Sequence, residues 1–199
     1  MHLLSLFQGP GRHGAAPRGR LGRARKGRGQ SDLQLPLLFH GSVAVLESGY
    51  RLDRQTREFT TQDSSGLQEF DPRALIAPLH AAMELAHLRL RGLLTLPSLE
   101  LALVLTRIDG TPLAAGERDL LWRAFAIPVF EQLRDAGGRV IARECEVHDG
   151  LHLDAAAVIP AELKGEIVNE HCECGGETPR LKRQVPGREK AAAAVAATA

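Results

Sequence analysis

The sequence has 199 residues, a formal net charge of +1, 44% hydrophobic residues and few aromatic ones. This length suits one domain with flanking tails, and the composition favours a soluble core built from Leu, Ala and Val. No apolar run approaches the roughly 18–20 residues of a membrane span, and the apolar residues 3–7 are too few for a secretory signal. We therefore expect a cytoplasmic protein that has no contact with a membrane.

The small net charge conceals an asymmetry along the chain. Residues 1–30 contain seven Lys or Arg and no acidic residue, so the remainder carries 18 basic residues against 24 acidic ones. These Gly-, Arg- and Pro-rich residues cannot bury enough apolar surface to offset the entropy of ordering, which predicts a disordered basic arm. Clustered arginines can bind nucleic-acid phosphates, but no aromatic side chains are interleaved with them for base stacking. We expect a solvated leader, not a nucleic-acid-binding tail.

Residues 31–185 are predicted to form a single domain, followed by a disordered Ala-rich tail at 186–199. Residues 42–46 alternate in apolar character, which indicates a short strand. The polar residues 51–70 predict a loop around 62–66. Asp71 followed by Pro72 has the pattern of a helix N-cap and first helical residue, so we predict a helix over 72–91.

The second half of this domain predicts an α/β fold. Residues 99–105 are apolar on both faces, which is typical of a central parallel strand covered by helices. A loop, a helix over 117–125 and strands over 127–133 and 139–143 follow, the last two separated by a turn at 135–138. Residues 156–159 and 165–169 predict a hairpin-like pair. The predicted fold is a small sheet with parallel core strands and covering helices, plus a short β and zinc-binding segment.

Metal ligands are concentrated in two short segments, at 144–152 and 171–175. Three clustered cysteines do not form a disulfide framework and are more typical of metal binding or of reduced thiols. Cys145, Cys172 and Cys174 with His152 would give zinc three thiolates and one imidazole, within a candidate zinc segment at 144–180. His148 and His171 are alternative fourth ligands. Such a closed set leaves no position for water, so the predicted role of the zinc is structural.

Two other interpretations of the cysteines remain open. Cys-x-Cys is shorter than the usual spacing of zinc ligands, so the three residues could be partly buried free thiols. Cys145 could also be a nucleophile with His148 or His152 as its base, but the neighbouring acidic residues would raise the thiol pKa.

The sequence supplies no carboxylate that is an obvious acid or base. None lies in an apolar run that would shift its pKa, and Glu131 is expected to face solvent at a strand end. We predict no catalytic residue.

Several pieces between residues 99 and 182 resemble, in order and spacing, the adenylate-forming enzymes of the phenylacetate–CoA ligase branch. One is the strand, Gly-containing turn, helix and Pro-bounded strand at 99–133. The other pieces are Glu144-Cys145-Glu146 with Asp149-Gly150-Leu151-His152, Lys164-Gly165-Glu166-Ile167-Val168, and Cys172-Glu173-Cys174-Gly175 with Thr178-Pro179-Arg180-Leu181. The resemblance implies ancestry in this superfamily.

Parts of the family pattern that bind ATP are missing from this sequence. There is no Ser/Thr/Gly-rich phosphate loop. The Tyr-Gly-x-Thr-Glu motif is replaced by residues 130–134, Phe-Glu-Gln-Leu-Arg. Only Asn169, Glu170 and His171 stand where the ribose-binding Tyr-Arg-x-Gly-Asp motif should lie. ATP and CoA are therefore not supported as cofactors.

These departures favour a shortened relative without adenylation activity. We expect it to act as a zinc-stabilised binding or accessory module, with a protein as its partner. The alternative is that the chain is part of an acyl-CoA ligase, split and completed by a partner chain, that acts on an aromatic or other carboxylic acid.

Overall fold

The computed structural model describes residues 35, 39–48, 50, 53–109, 111–159, 163 and 165–183. In chain order its elements are β1 (Val43–Val45), β2 (Thr56–Glu58), α1 (Ser64–Phe70), β3 (Ala74–Pro78), α2 (Leu79–Leu90), β4 (Leu101–Arg107), α3 (Ala115–Phe125), β5 (Val129–Arg134), β6 (Val140–Glu144), β7 (Leu151–Leu153), β8 (Glu166–Val168) and β9 (Arg180–Lys182). The predicted basic arm at 1–30 and tail at 186–199 lie outside the described residues. The predicted domain boundaries stay predictions.

The strands of the described residues form one mixed sheet in the order β2-β1-β3-β4-β5-β6-β7-β9-β8. The first five strands of this order run parallel, and each later neighbour pairs antiparallel. The strand order reverses between β1 and β3, because the chain runs outward from β1 to β2 and then returns to β3. The predicted fold class, with parallel core strands and covering helices, is confirmed.

Alternate residues of the parallel strands enter different apolar clusters, as the period of two in a strand requires. Leu75 and Val104 pack towards the helices, against Leu85 of α2 and Leu121 of α3. The opposite face of the same strands carries a second cluster that includes Val45, Ile76, Leu103 and Phe130. Both faces of β3, β4 and β5 are thus buried, which explains why the sequence of β4 is continuously apolar.

The helix predicted over 72–91 is wrong in its first half. Residues Ala74–Pro78 form β3, which pairs with β1 and β4, and the helix begins only at Leu79. Asp71 is the left-handed C-cap of α1, with φ of 44°, and its carboxylate accepts hydrogen bonds from the backbone and hydroxyl of Ser98. An Asp-Pro pair that ends one helix therefore has the same appearance as one that begins another.

Two other predicted elements also differ from the structure. The predicted loop at 62–66 lies partly in α1, which is capped by the side chain of Asp63. The predicted hairpin-like pair is wrong, because residues 156–159 are not a strand and β8 pairs instead with β9. The strands predicted over 42–46, 99–105, 127–133 and 139–143 and the helix over 117–125 are confirmed with small shifts of their ends.

None of the helices in the described part of the chain is both long enough and apolar enough to span a membrane.

Candidate metal centre

The four predicted zinc ligands come from three places around the antiparallel end of the sheet. Cys145 directly follows β6, and His152 is the central residue of β7. Cys172 and Cys174 lie in the loop that connects β8 to β9. Register brings these places together, since His152 pairs with Arg143 of β6 on one side and with Arg180 of β9 on the other.

The side-chain ligand atoms of these four residues all lie within 4.8 Å of one another. The sulfurs of Cys145 and Cys172 are 3.8 Å apart, and the sulfur of Cys174 lies 3.2 Å from Nε2 of His152. Zinc–sulfur bonds of about 2.3 Å at a tetrahedral angle place two sulfurs about 3.8 Å apart. The cluster therefore has the dimensions of a four-coordinate site and could hold a metal ion.

Two contacts outside the cluster orient its members. Nδ1 of His152 lies 3.1 Å from the hydroxyl oxygen of Thr178, which leaves Nε2 facing the thiols. The backbone N–H of Gly176 donates to the sulfur of Cys174 over 3.3 Å. Hydrogen bonds of this kind fix the tautomer of a ligating histidine and stabilise thiolate charge.

Two glycines allow the backbone to bend around the cluster. Gly150, just before β7, has φ of 90°, and Gly175 has φ of 81°. These values lie in the left-handed region that favours glycine. The glycine after Cys174 thus turns the chain so that the next amide meets the sulfur.

The thiols of the cluster differ in acidity. Burial raises the pKa of Cys145 to about 12, and the adjacent thiol groups of Cys174 and Cys172 add to this shift. A hydrogen bond from the backbone N–H of Cys174 lowers the pKa of Cys172 below its usual value. A thiol with so high a pKa stays protonated at neutral pH and is a poor nucleophile, which argues against the cysteine-nucleophile interpretation. Cation binding at these thiols must release protons.

The two alternative histidines do not join this cluster. Nδ1 of His148 lies 3.1 Å from Oε1 of Glu144, and its ring stacks on Phe130 with centroids 5.1 Å apart. His171 is exposed. Of the three candidate histidines, the structure brings only His152 together with the cysteines.

Ion pairs link the loop between β6 and β7, which lies beside the cluster, to β9. Asp149 accepts hydrogen bonds from Arg180 and lies 3.0 Å from Nζ of Lys182, both in β9. The hydrogen bond from Lys182, followed by that from Arg180, lowers the pKa of Asp149. The loop between β6 and β7 is thereby held against β9 independently of any metal.

The expectation that Glu131 faces solvent is wrong. Glu131 is only 6% exposed, and its Oε1 accepts from the hydroxyl of Thr106 at 2.6 Å and from Nη1 of Arg183 at 2.9 Å. Burial raises the pKa of this carboxyl, against the lowering effects of Thr106 and Arg183. The expectation that no carboxylate lies where its pKa would shift is wrong for the same reason.

A second buried carboxylate, Glu144, lies next to Glu131. Its oxygens accept two hydrogen bonds from Nη2 of Arg118, at 2.9 and 3.1 Å, and one from the backbone N–H of Glu131 at 2.8 Å. Each of the two carboxylates is thus paired with an arginine. The arrangement stabilises the junction between the parallel and antiparallel parts of the sheet.

A cavity of about 610 Å³ opens at the carboxyl ends of the parallel strands. Its lining includes Glu47 after β1, Pro78 at the end of β3, Arg107 at the end of β4 and Arg134 at the end of β5. Ligands of open α/β sheets bind at this edge, where the strand order reverses. No sequence pattern predicts this cavity, because its lining is assembled from four separate strand ends.

Comparison with known proteins identifies the fold. No protein-family model matches the sequence, and a search of the curated proteins finds no match either. Among solved structures, however, the fold is that of part of an adenylate-forming acyl-CoA ligase. The fold expected from the resemblance is confirmed, and membership of the phenylacetate–CoA ligase branch stays a prediction.

The solved structures that match this chain are of 2-hydroxyisobutyryl-CoA ligase. One, in the postadenylation state with R3-HIB-AMP, matches with a TM-score of 0.53 and 17% identity over 75% of this chain and 44% of the ligase. Another, an open conformation with 2-HIB-AMP and CoA, matches with a TM-score of 0.51 and 14% identity over 71% and 47%. The chain thus spans less than half the length of the ligases that it resembles.

Proposed function

We propose that this chain is a zinc-stabilised binding module built on part of the acyl-CoA ligase fold. The observation that carries the proposal is the convergence of Cys145, His152, Cys172 and Cys174, whose ligand atoms lie within 4.8 Å of one another. Three thiolates and an imidazole form a closed tetrahedral set for zinc, and such sets support structure.

The position of the cluster explains what a bound zinc ion would contribute. Its ligands lie in three segments, one directly after β6, one within β7 and one before β9. These three strands are only three to five residues long. A metal that joins all three would convert its binding free energy into folding free energy for this end of the sheet.

The binding role is supported by the cavity at the carboxyl ends of the parallel strands. Its volume of about 610 Å³ falls within the usual range of small-molecule sites, roughly 300–1,000 Å³. The sequence lacks the phosphate loop and the ribose-binding motif of the ligases, so we expect this cavity to bind its ligand without ATP-dependent chemistry.

Cobalt substitution tests the metal part of this proposal. The full chain, stripped with a chelator and reloaded with Co²⁺, should show intense thiolate-to-cobalt charge-transfer bands and the visible bands of a tetrahedral ion. Cys172→Ser should weaken the charge-transfer bands, while Glu173→Gln, which changes the residue between the two loop cysteines, should retain them. A spectrum of octahedral, water-bound cobalt in the unmodified chain would rule out the four-residue site.

A second candidate function, favoured by the likeness to 2-hydroxyisobutyryl-CoA ligase, is that the chain forms part of an acyl-CoA ligase completed by another polypeptide. Calorimetric titration with ATP, AMP and CoA separates the two candidates. The binding-module proposal predicts no tight binding of any of the three. Tight binding of AMP or ATP to the isolated chain would favour the ligase candidate.

A further inference from the structure

The thiols of the candidate metal centre lie close enough together to be oxidised to a disulfide. The sulfurs of Cys145 and Cys172 are 3.8 Å apart, and all three cysteines of the chain are free. A disulfide bond is roughly 2.0 Å long, so its formation would bring these two sulfurs closer by roughly 1.8 Å. Because the sequence has no fourth cysteine, any disulfide within this chain must form inside the cluster.

The three thiols differ in their access to solvent. Cys145 and Cys174 are half-buried, whereas Cys172 is only 1% exposed. A small oxidant therefore reaches Cys145 or Cys174 before it reaches Cys172. A shielded thiol beside an accessible one has the position of a resolving cysteine, which attacks its oxidised neighbour.

The turn that carries Cys172 and Cys174 favours Cys145 as the partner of Cys172. The backbone N–H of Gly175 donates to the carbonyl oxygen of Cys172 over 2.9 Å, and the sulfur of Cys174 lies 3.2 Å from Nε2 of His152. A disulfide between the two loop cysteines would have to distort this turn. A disulfide between Cys145 and Cys172 joins two separate segments and leaves the turn in place.

Oxidation of two of the thiols is incompatible with the four-ligand site. A bound zinc ion would hold the cysteines as thiolates, which is the form that attacks a peroxide. Loss of two thiolates to a disulfide leaves one thiolate and the imidazole of His152. Two ligands do not complete the closed tetrahedral set that a structural zinc ion requires.

We propose that Cys145 and Cys172 are a peroxide-reactive pair whose oxidation to a disulfide releases the zinc ion. The inference rests on the proposed zinc site and adds a means of regulation to it.

The reaction with hydrogen peroxide takes place in two steps. The thiolate of Cys145 attacks one peroxide oxygen, the O–O bond breaks and hydroxide leaves, which gives a sulfenic acid at Cys145. The thiolate of Cys172 attacks that sulfur, the S–O bond breaks and a second hydroxide leaves as the S–S bond forms. The two sulfurs together lose two electrons, and the two peroxide oxygens gain them.

The disulfide would replace part of the cross-link that zinc provides. It would join the end of β6 to the loop before β9, across 27 positions of the chain. The ion pairs of Asp149 with Arg180 and Lys182 hold the neighbouring loop against β9 without the metal. We therefore expect the oxidised chain to stay folded and a reductant to restore the zinc site.

Treatment of the zinc-loaded full chain with hydrogen peroxide tests the release, with a chromophoric zinc chelator as the indicator. A small molar excess of peroxide should transfer about one zinc ion per chain to the chelator, since four ligands hold one ion. The chelator without peroxide should remove much less. The far-ultraviolet circular dichroism should be retained, and dithiothreitol followed by fresh zinc should restore the zinc content.

Tryptic peptides prepared without a reductant locate the disulfide. Trypsin releases Cys145 on peptide 144–164 and the other two cysteines on peptide 165–180. Peroxide treatment should join these two peptides, and fragmentation of the linked pair should place the second sulfur at Cys172. A disulfide between Cys172 and Cys174 would instead leave both peptides separate.

Two variants provide a matched pair of controls. Cys174→Ser keeps both members of the reactive pair and should still give the linked peptides after peroxide treatment, whether or not it retains zinc. Cys172→Ser lacks the resolving thiol and should lose most of the linked product. Equal yields of linked peptides in the two variants would overturn the inference.

Several further results would overturn this inference and leave the zinc site in place. These are zinc that stays bound in peroxide, zinc release without a disulfide, a disulfide confined to peptide 165–180, or zinc release accompanied by unfolding. An untreated chain that binds no zinc would overturn the zinc site itself, and the release of zinc with it.

Discussion

The hydroxyl oxygen of Thr178 lies 3.1 Å from Nδ1 of His152, while Nε2 of the same ring lies 3.2 Å from the sulfur of Cys174. Thr178 precedes β9 and His152 lies in β7, so the contact links the loop that carries two cysteines to the strand that carries the imidazole. The ring is thereby oriented before any metal binds.

Thr178→Val should weaken zinc binding by about 10- to 100-fold, because partners of this kind hold the tautomer and the angle of a ligating histidine. Competition with a chromophoric chelator measures the change. Thr178→Ser keeps a hydroxyl and should retain most of the affinity. Equal affinity in the Val variant and the natural chain would show that this contact does not orient the ring.

Gly176→Ala should also weaken zinc binding, for a steric reason. A Cβ at this position would lie 2.7 Å from Cε1 of His152 and 3.2 Å from the sulfur of Cys174, closer than side chains tolerate. Gly116→Ala is the matched control, because a Cβ there meets nothing within 4 Å. Since Gly116 lies within α3, that control should raise stability by up to about 1 kcal/mol and leave zinc affinity unchanged.

Glu131→Ala should destabilise the fold by about 3 kcal/mol, because it removes the carboxylate from a buried ion pair and leaves the charge of Arg183 less compensated. Urea denaturation followed by circular dichroism measures this effect. Glu100→Ala is the control, since Glu100 pairs with Arg73 at the surface, where both side chains are about half exposed. Surface pairs contribute about 0–1 kcal/mol. Equal losses in the two variants would mean that burial of Glu131 has no energetic consequence.

The raised pKa of Glu131 also predicts the sign of a pH effect. A carboxyl whose pKa is higher in the folded than in the unfolded chain binds more protons when folded, so its contribution to stability falls as the pH rises. This contribution is present below the ordinary value of 4.5 and is lost as the pH rises through the folded pKa. Denaturation curves of the natural chain and of Glu131→Gln should be taken at increasing pH from 4.5. Over this range the free energy of unfolding of the natural chain should fall relative to that of Glu131→Gln. A natural chain that gains stability over Glu131→Gln as the pH rises would contradict the prediction.

The sequence was sufficient to predict which side chains converge at the candidate metal centre but not the buried carboxylates. Cys145, Cys172 and Cys174 are the only cysteines of the sequence and stand in two short segments, while the choice among the three nearby histidines is made by the structure, which places His152 beside the thiols. Glu131 lies in a run, Val129–Arg134, whose six residues are all buried. Its burial depends on Arg183, 52 residues further along the chain, and no local pattern reveals such a partner.

The helix predicted over 72–91 shows a second limit of local patterns. Residues 74–78 are apolar and adjoin an amphipathic helix without a polar break, so periodicity alone merges the two. Tertiary pairing decides the outcome, because β3 fills the place between β1 and β4 in the sheet. The cavity at the ends of these strands escapes prediction for the same reason.

The zinc content of the purified full chain shows directly whether Cys145, His152, Cys172 and Cys174 hold a metal ion. Elemental analysis should find about one zinc ion per chain in the natural sequence and less than about half of that in Cys172→Ser, since four ligands hold one ion. Protein without bound zinc, or a zinc content that Cys172→Ser leaves unchanged, would show that these four residues are not a zinc site.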